Sequence, residues 1–259
     1  MEVRQLLLTC NTLAKMIRKH IPNFITCLNI ISGSLAVLFA IKGELTIAVL
    51  FIFAAAIFDF LDGMAARLLK AYSPMGKELD SLADIISFGL APGMVMMAIQ
   101  QSSLFGINVK VDHLSALSLW EMICLSSSLL IPVMSALRLA KFNLDTRQTD
   151  SFIGLPVPAN AIFISALALI MVHGNYQFID NIILQPWVLL VITIGMSLLL
   201  VSELPMFSLK FKSLSWRDNR VRFIFLGISA VLILALNIYG IAACIVIFIL
   251  ISLLLKLLK

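Results

Sequence analysis

Four aspartates fall between residues 59 and 84, Asp59 and Asp62 three apart and Asp80 and Asp84 four apart. On helices each pair shares a face, with Gly63 beside the first pair. Between the pairs, Ser73-Pro74-Met75-Gly76 reads as a tight turn, with Ser73 as N-cap and Pro74 at the first helical position. Two antiparallel helices would then bring four carboxylates together. Carboxylates gathered in this way repel one another unless a hard divalent cation sits among them, and an all-oxygen ligand set suits magnesium or manganese. Arg67 adds a fixed planar fork of the kind that grips phosphate. Gly63 and Gly76 remove side chains where something flat or bulky must approach backbone. Pairing with Lys70, Lys77 or Arg67 at a surface would account for one aspartate, but not for four at this spacing with both glycines and the arginine.

The elements that must position these residues are membrane helices. The 259 residues are 61% hydrophobic with a mean hydropathy of +1.06, well beyond a soluble domain. A charge at the centre of a membrane helix costs about 2.5–3.5 kcal/mol, so the cluster demands compensation. Apolar length and breakers predict an all-α polytopic bundle of about eight transmembrane helices, over 24–41, 45–69, 80–100, 118–141, 156–173, 184–202, 221–237 and 240–257. We read these as a six-span core with two additions. Residues 1–20 mix Val3, Leu6, Leu7, Leu13 and Ile17 with Arg4, Lys15, Arg18 and Lys19, the pattern of a basic amphipathic helix lying on the membrane rather than a cleaved signal. The organisation is therefore an interfacial helix over 1–20, a core over 21–202, and a basic loop with a C-terminal hairpin over 203–259.

Charge orients the bundle. Of 19 lysines and arginines, all but Lys42 and Lys110 fall on one side of this layout. The positive-inside rule places that side, both termini and the aspartate hairpin in the cytoplasm. Trp120, Tyr176, Trp187 and Tyr239 fall at the opposite boundary, as an aromatic belt would. The net charge of +5 is then a face toward anionic lipid, and nucleic-acid binding has no motif or stacking support. Asp62 lies eight residues before Lys70, about 12 Å along a helix, so the site sits just inside the cytoplasmic leaflet, open sideways to lipid and from below to water. Cys10, Cys27, Cys124 and Cys244 lack metal or disulfide spacing and read as buried free thiols. His20, His113 and His173 sit singly at span ends and read as interface residues.

The pattern D-x2-D-G-x2-A-R-x8-G-x3-D-x3-D is met at every fixed position by Asp59, Asp62, Gly63, Ala66, Arg67, Gly76, Asp80 and Asp84. It resembles the signature of the CDP-alcohol phosphatidyltransferase family. The resemblance implies that Asp59, Asp62 and Asp80 ligate metal, magnesium or manganese in two ions, and that Asp84 joins the second ion while acting as base. It further implies that Gly63, Ala66, Arg67, Ser73 and Gly76 meet the diphosphate and nucleotide of CDP-diacylglycerol, with Asn23 and Thr26 of Pro22-Asn23-Phe24-Ile25-Thr26 nearby. A homodimer is expected on the same ground. No cysteine, histidine or serine nucleophile sits beside a base in the motif, which favours a sequential displacement over a covalent enzyme intermediate.

Leu79-Asp80-Ser81-Leu82-Ala83-Asp84 and the Ser87-Phe88-Gly89-Leu90-Ala91-Pro92 that follows resemble the serine-using branch of the family, as do Arg138-Leu139-Ala140-Lys141-Phe142-Asn143 and the stretch from Phe152 to Ala159. Lys141 departs from that branch, where an arginine is commoner. The implied reaction moves the phosphatidyl group of CDP-diacylglycerol to L-serine, giving phosphatidylserine and CMP, with Ser87 and Arg138 at the acceptor site. Taken alone, Ser87, Gly89 and Pro92 read first as helix packing and a kink, and Arg138 reads also as a snorkelling anchor. Glycerol 3-phosphate, inositol or inositol phosphate would be alternative acceptors. The third span offers no basic residue after Lys77, which favours an unphosphorylated zwitterion. An ion-coupled transporter would instead call for interrupted helices in matching halves, and the chain carries one acidic hairpin with no later counterpart.

Overall fold

The structure is a computed structural model that describes residues 2–106, 117–144, 152–207 and 215–257; for residues 2–19, Phe152, Arg217 and Asp218 it describes backbone alone. Lys110, His113, Arg147, Lys210, Lys212 and Lys259 lie outside the described residues, and the interfacial face expected of residues 1–20 falls on side chains that do too.

The described chain is helical apart from a two-residue antiparallel ladder pairing Phe152 with Met206 and Ile153 with Pro205. The opening helix, α1, runs unbroken over Glu2–Ile41 with Pro22 inside it. The separate interfacial helix expected over 1–20 is thus continuous with the first span. Pro22 lacks the N–H of one ladder rung, and the Thr26 hydroxyl donates to its carbonyl at 3.0 Å. Gly43, with φ of 82°, reverses the chain into α2, Leu45–Leu68. The α1–α2 contact is the most extensive in the fold. Ala36, Ala40, Ala48 and Ala55 are buried along these helices, because small side chains let membrane helices approach closely where burial from water supplies no drive.

Next come α3 (Pro74–Asp84), a π-helical segment (Ile85–Leu90) and α4 (Ala91–Phe105), which together make one apolar helix of 32 residues. The sequence reading placed a kink at Pro92, and the structure opens a π turn just before it. Proline at 92 removes one helical rung and crowds the carbonyl four residues back, and a widened turn relieves that crowding. The segment is packed on both sides. Ser87 donates to Asn29 of α1, at 2.6 Å to Oδ1 and 3.1 Å to the backbone carbonyl, and Gly89 and Gly93 lie against Ser135 and Pro132. The helices α5 (Leu119–Ser127) and α6 (Leu130–Leu144) form the next crossing. Ser118 and Glu121 make a reciprocal capping box at its start.

After the short ladder come α7 (Val157–His173), α8 (Gln177–Ile183) and α9 (Pro186–Val201), and then the hairpin of α10 (Trp216–Leu236) and α11 (Ile238–Leu257). Among the described residues, six helices are long and apolar enough to cross a membrane. The α8–α9 pair makes a seventh crossing if its 64° bend is counted as one broken span, and α7 is a shorter apolar helix. Each span expected from the sequence thus has a helix, but two of the eight fall short of a full straight crossing. Phe88, Met96, Ile99, Ile131, Ile164 and Leu167 are fully buried at the centre. Leu50, Ile57, Phe60, Val133, Leu198 and Leu234 are exposed on the outside, where acyl chains are the solvent.

Two sequence expectations change. Cys27 is exposed, unlike Cys124 and Cys244; it lies on the outward face of α1, among groups that meet lipid. Trp120, Tyr176 and Trp187 are exposed as a belt requires, but Tyr239 is buried. Its hydroxyl donates to Asp180 at 2.7 Å and accepts from the amides of Asn175 and Tyr176, so it fastens the α10–α11 turn to the α7–α8 loop.

A tight seam joins Gly33 of α1 to Ser87, where an added Cβ would collide with the serine backbone. Gly33→Ala should cost about 1–3 kcal/mol by overpacking, read as a lowered thermal midpoint of the purified protein in detergent.

Candidate active site

The site is built by the hairpin between α2 and α3. Lys70, with φ of 49°, takes the left-handed position that ends α2, and the Ala71 amide reaches back to Ala66 O at 3.0 Å, closing the helix in the manner usual for glycine. Ser73 is extended and its Oγ accepts from Gly76 N at 3.0 Å, with Pro74 at the first helical turn, as the sequence predicted. The chain therefore reverses within a few residues, and α3 runs back beside α2.

That reversal brings together Asp59, Asp62 and Asp80. One carboxylate oxygen from each lies within 4.8 Å of the others. Carboxylates sustain such an approach only with a proton or a cation between them. Asp62 is buried and its Oδ2 accepts from the Thr26 hydroxyl at 2.7 Å. The Oδ1 atoms of Asp80 and Asp84 are buried without a hydrogen-bond partner. Hard oxygen donors, converging and partly unsatisfied, fit a divalent cation.

Asp84 stands apart from the three. It lies one turn beyond Asp80, about 6 Å further along the axis, at the start of the π-helical segment. It still feels the charges of Asp59, Asp80 and Asp62, and that of Arg138 on α6. Arg138 is buried, its guanidinium lies over the Phe142 ring at 5.5 Å, and its Nε has no hydrogen-bond partner. The four aspartates are thus three within ligand distance of one another and a fourth that feels the charge of all three, with the charge of the buried Arg138 acting on it as well.

A cleft of about 500 Å³ opens beside the cluster. Asn23, Thr26, Gly63, Ala66, Ser73 and Gly76 line it, with Asp62 and Asp80. Gly63 faces open space, where an added Cβ would meet nothing within 4 Å. Gly76 is needed for a different reason from the one expected: a Cβ there would press on Asn23 Oδ1 and Ser73 Oγ, each at 3.0 Å, so its room is used by the protein itself. Arg67 is exposed beside the cleft, held by Nε donating to Gly63 O at 3.0 Å. Ser87 is not among the lining groups; it is fully buried with its hydroxyl spent on Asn29.

Three features were missed in the sequence. Tyr72 and Lys77 also line the cleft, and their place beside the Ser73 cap was the available signal. The Asn143 amide donates to Ser81 Oγ at 3.0 Å, tying α6 to the aspartate helix, and nothing local to either residue announces that bond. Thr26 is a partner of Asp62, which makes it a support for the acidic cluster as well as a wall of the cleft.

The sequence model of the CDP-alcohol phosphatidyltransferase family matches residues 19–201. The chain is 35% identical to the CDP-diacylglycerol–serine O-phosphatidyltransferase of Bacillus subtilis over 185 residues, 71% of this chain and 88% of that protein. It is 37% identical to the protein of the same name from Mycobacterium tuberculosis, over 72% of this chain and 60% of that one. It is 34% identical to the archaetidylserine synthase of Methanothermobacter thermautotrophicus, over 58% of each chain. The chain thus covers most of the Bacillus protein but less than two thirds of the other two.

The Thr26–Asp62 bond orients one of the three clustered carboxylates, and losing such an outer partner costs about 10–100-fold in metal affinity. Thr26→Val, which keeps the shape and removes the hydroxyl, should weaken manganese binding by that order in a titration of the purified protein.

Proposed function

This chain belongs to the CDP-alcohol phosphatidyltransferase family, and from that premise we propose that it transfers the phosphatidyl group of CDP-diacylglycerol to L-serine, giving phosphatidylserine and CMP. The observation that carries the reading is the meeting of Asp59, Asp62 and Asp80 beside a cleft within a membrane bundle. The relatives' names supply the serine. The absence of a basic residue in the third span after Lys77 agrees with an acceptor that carries no phosphate.

In this reading Asp59, Asp62 and Asp80 hold magnesium or manganese, with Asp84 on a second ion, and the bound ions would neutralise the diphosphate and stabilise the charge that develops on CMP. The chain's own groups do the rest. Gly63 leaves a bare surface for the nucleotide. Arg67, pinned through Nε, presents its terminal amino groups to the diphosphate. The Ser73 hydroxyl, already accepting from Gly76 N, has a proton left to give to a phosphate oxygen. Asn23 and Thr26 close the side of the cleft formed by α1. Arg138 receives the serine carboxylate, and Asp84, beside it, accepts the serine hydroxyl proton as that oxygen bonds to the lipid phosphorus and the bond to CMP breaks. Geometry comes first for such a base, and Asp84 has an unpartnered oxygen to offer.

The lysine and arginine skew supports a cytoplasmic active site in the inner membrane. Lipid substrate would reach the cleft from the inner leaflet and serine from the cytoplasm. A homodimer is carried over from the family.

Asp80→Asn and Asp84→Asn should each abolish CMP release while the protein still inserts and elutes as the wild type does in detergent. Retained turnover in either would remove the ligand and base assignments. Labelled L-serine, supplied with CDP-diacylglycerol and manganese or magnesium, should enter lipid, and a chelator should stop it. Incorporation of glycerol 3-phosphate or inositol in place of serine would overturn the acceptor assignment.

A further inference from the structure

The chain's excess of positive charge lies outside the part that builds the site. Residues 203–259 hold seven of the 19 lysines and arginines against two acids, Glu203 and Asp218, which equals the +5 of the full chain. Residues 1–202 balance, with twelve cations against twelve acids. The segment that carries the charge follows the residues that match the family, and it folds as the hairpin of α10 and α11.

The hairpin gathers this charge at one end. Cys244 Sγ donates to Ser229 O at 3.7 Å and the Phe225 and Phe248 rings lie 5.9 Å apart, a register that sets the start of α10 beside the end of α11. Ser252 Oγ of α11 accepts from the Phe207 amide at 3.4 Å. Met206, next to Phe207, pairs with Phe152, and the chain leading to Phe152 leaves α6 just after Asn143, which bonds Ser81 of the aspartate helix. The charged end therefore shares the membrane boundary of the acidic cluster. There Arg220 and Lys256 are exposed, and the exposed Trp216 stacks on Phe223 at 5.4 Å.

Packing leaves one side of the hairpin to lipid. α11 lies against α7, whereas α10 packs chiefly against α11. Ile224, Ile228 and Val231 of α10 are exposed, and their spacing puts them in one row. The kink at Asn219 comes before Arg220, so Arg220, four residues ahead of Ile224, heads the same row.

We propose that the α10–α11 hairpin is a binding element for anionic phospholipid, with Arg220 and Lys256 at the headgroup phosphate and the row of Ile224, Ile228 and Val231 along the acyl chains. The row faces hydrocarbon, so the group that meets Arg220 at the boundary is the headgroup of the lipid lying on that row. A guanidinium takes a phosphate by a two-pronged bond. A patch with net positive charge favours headgroups of net negative charge over zwitterionic ones, whose own ammonium offsets the attraction. The hairpin would thus hold the protein's catalytic part in register with an anionic bilayer surface, whichever alcohol the active site uses.

The test uses the full-length protein with Trp120→Phe and Trp187→Phe, which leaves Trp216 as its only tryptophan. It is reconstituted in phosphatidylcholine bilayers containing either phosphatidylglycerol or phosphatidylcholine brominated on the acyl chains, and bromine quenches a tryptophan that its lipid touches. Brominated phosphatidylglycerol should quench Trp216 at a lower mole fraction than brominated phosphatidylcholine, by about fivefold for each cation engaged. High salt should shrink the difference, because it screens exposed charges. Arg220→Gln combined with Lys256→Gln should abolish the preference without changing transfer to serine in phosphatidylcholine bilayers, and Arg220→Lys, which keeps the charge, should retain it. Equal quenching by the two lipids before either cation is altered would overturn the proposal, and that comparison stands even if the double variant does not fold. A preference that persists undiminished in a folded double variant would overturn it too. A protein that transfers to another alcohol would overturn the proposed function and leave this inference in place.

Discussion

Asp59, Asp62 and Asp80 approach one another within the hydrophobic part of a membrane bundle, and the rest of the structure answers to that fact. A carboxylate at the bilayer centre costs about 2.5–3.5 kcal/mol, and less toward the interface, and mutual repulsion adds to that cost. Apolar packing cannot offset such a term, because lipid is as apolar as the helices. A divalent cation can, and it turns the repulsive arrangement into a ligand set. The acids are therefore tolerable only as a group, and only if two helices hold them at ligand distance.

The support for that arrangement is layered outward from it. The Ser73 cap and the left-handed Lys70 reverse the chain, which sets α3 beside α2. Thr26 of α1 steadies Asp62, and Asn29 of the same helix holds Ser87 in the π turn. Asn143 of α6 reaches Ser81 on the aspartate helix. These bonds run between helices in a medium without competing water, where a polar side chain has few other partners. Serving in this way need not exclude a role toward substrate for Thr26, which lines the cleft as well as bonding Asp62.

Beside α3 lies the cleft with Gly63, Ser73 and Gly76, bordered by the exposed Arg67. The π-helical segment that follows α3 packs against α6, where Ser135 abuts Gly89, and against α7. Asp84 stands at the boundary, one turn beyond the acidic cluster and within reach of the Arg138 charge.

Much of this was legible in the sequence, for a physical reason. The helical period and the apolar run lengths are local properties, so the bundle, the hairpin at Ser73-Pro74 and the shared faces of Asp59 with Asp62 and Asp80 with Asp84 could be read from residues 45–105 alone. The eight-position motif added the family. What the sequence left open depends on contacts between distant segments. Period placed Asp84 on the face of Asp80, and the tertiary arrangement adds the charge of Arg138 to those of Asp59, Asp80 and Asp62 around it. Ser87 carried two readings, and packing against Asn29 and Gly33 put it in the seam. Tyr239 looked like a belt aromatic until Asp180, far away in the chain, took its hydroxyl. Spacing along a helix determined which carboxylates could share a face; only the packing of α1, α6 and α7 around the hairpin decided which of them meet, because a partner's position is a long-range property that no local period encodes.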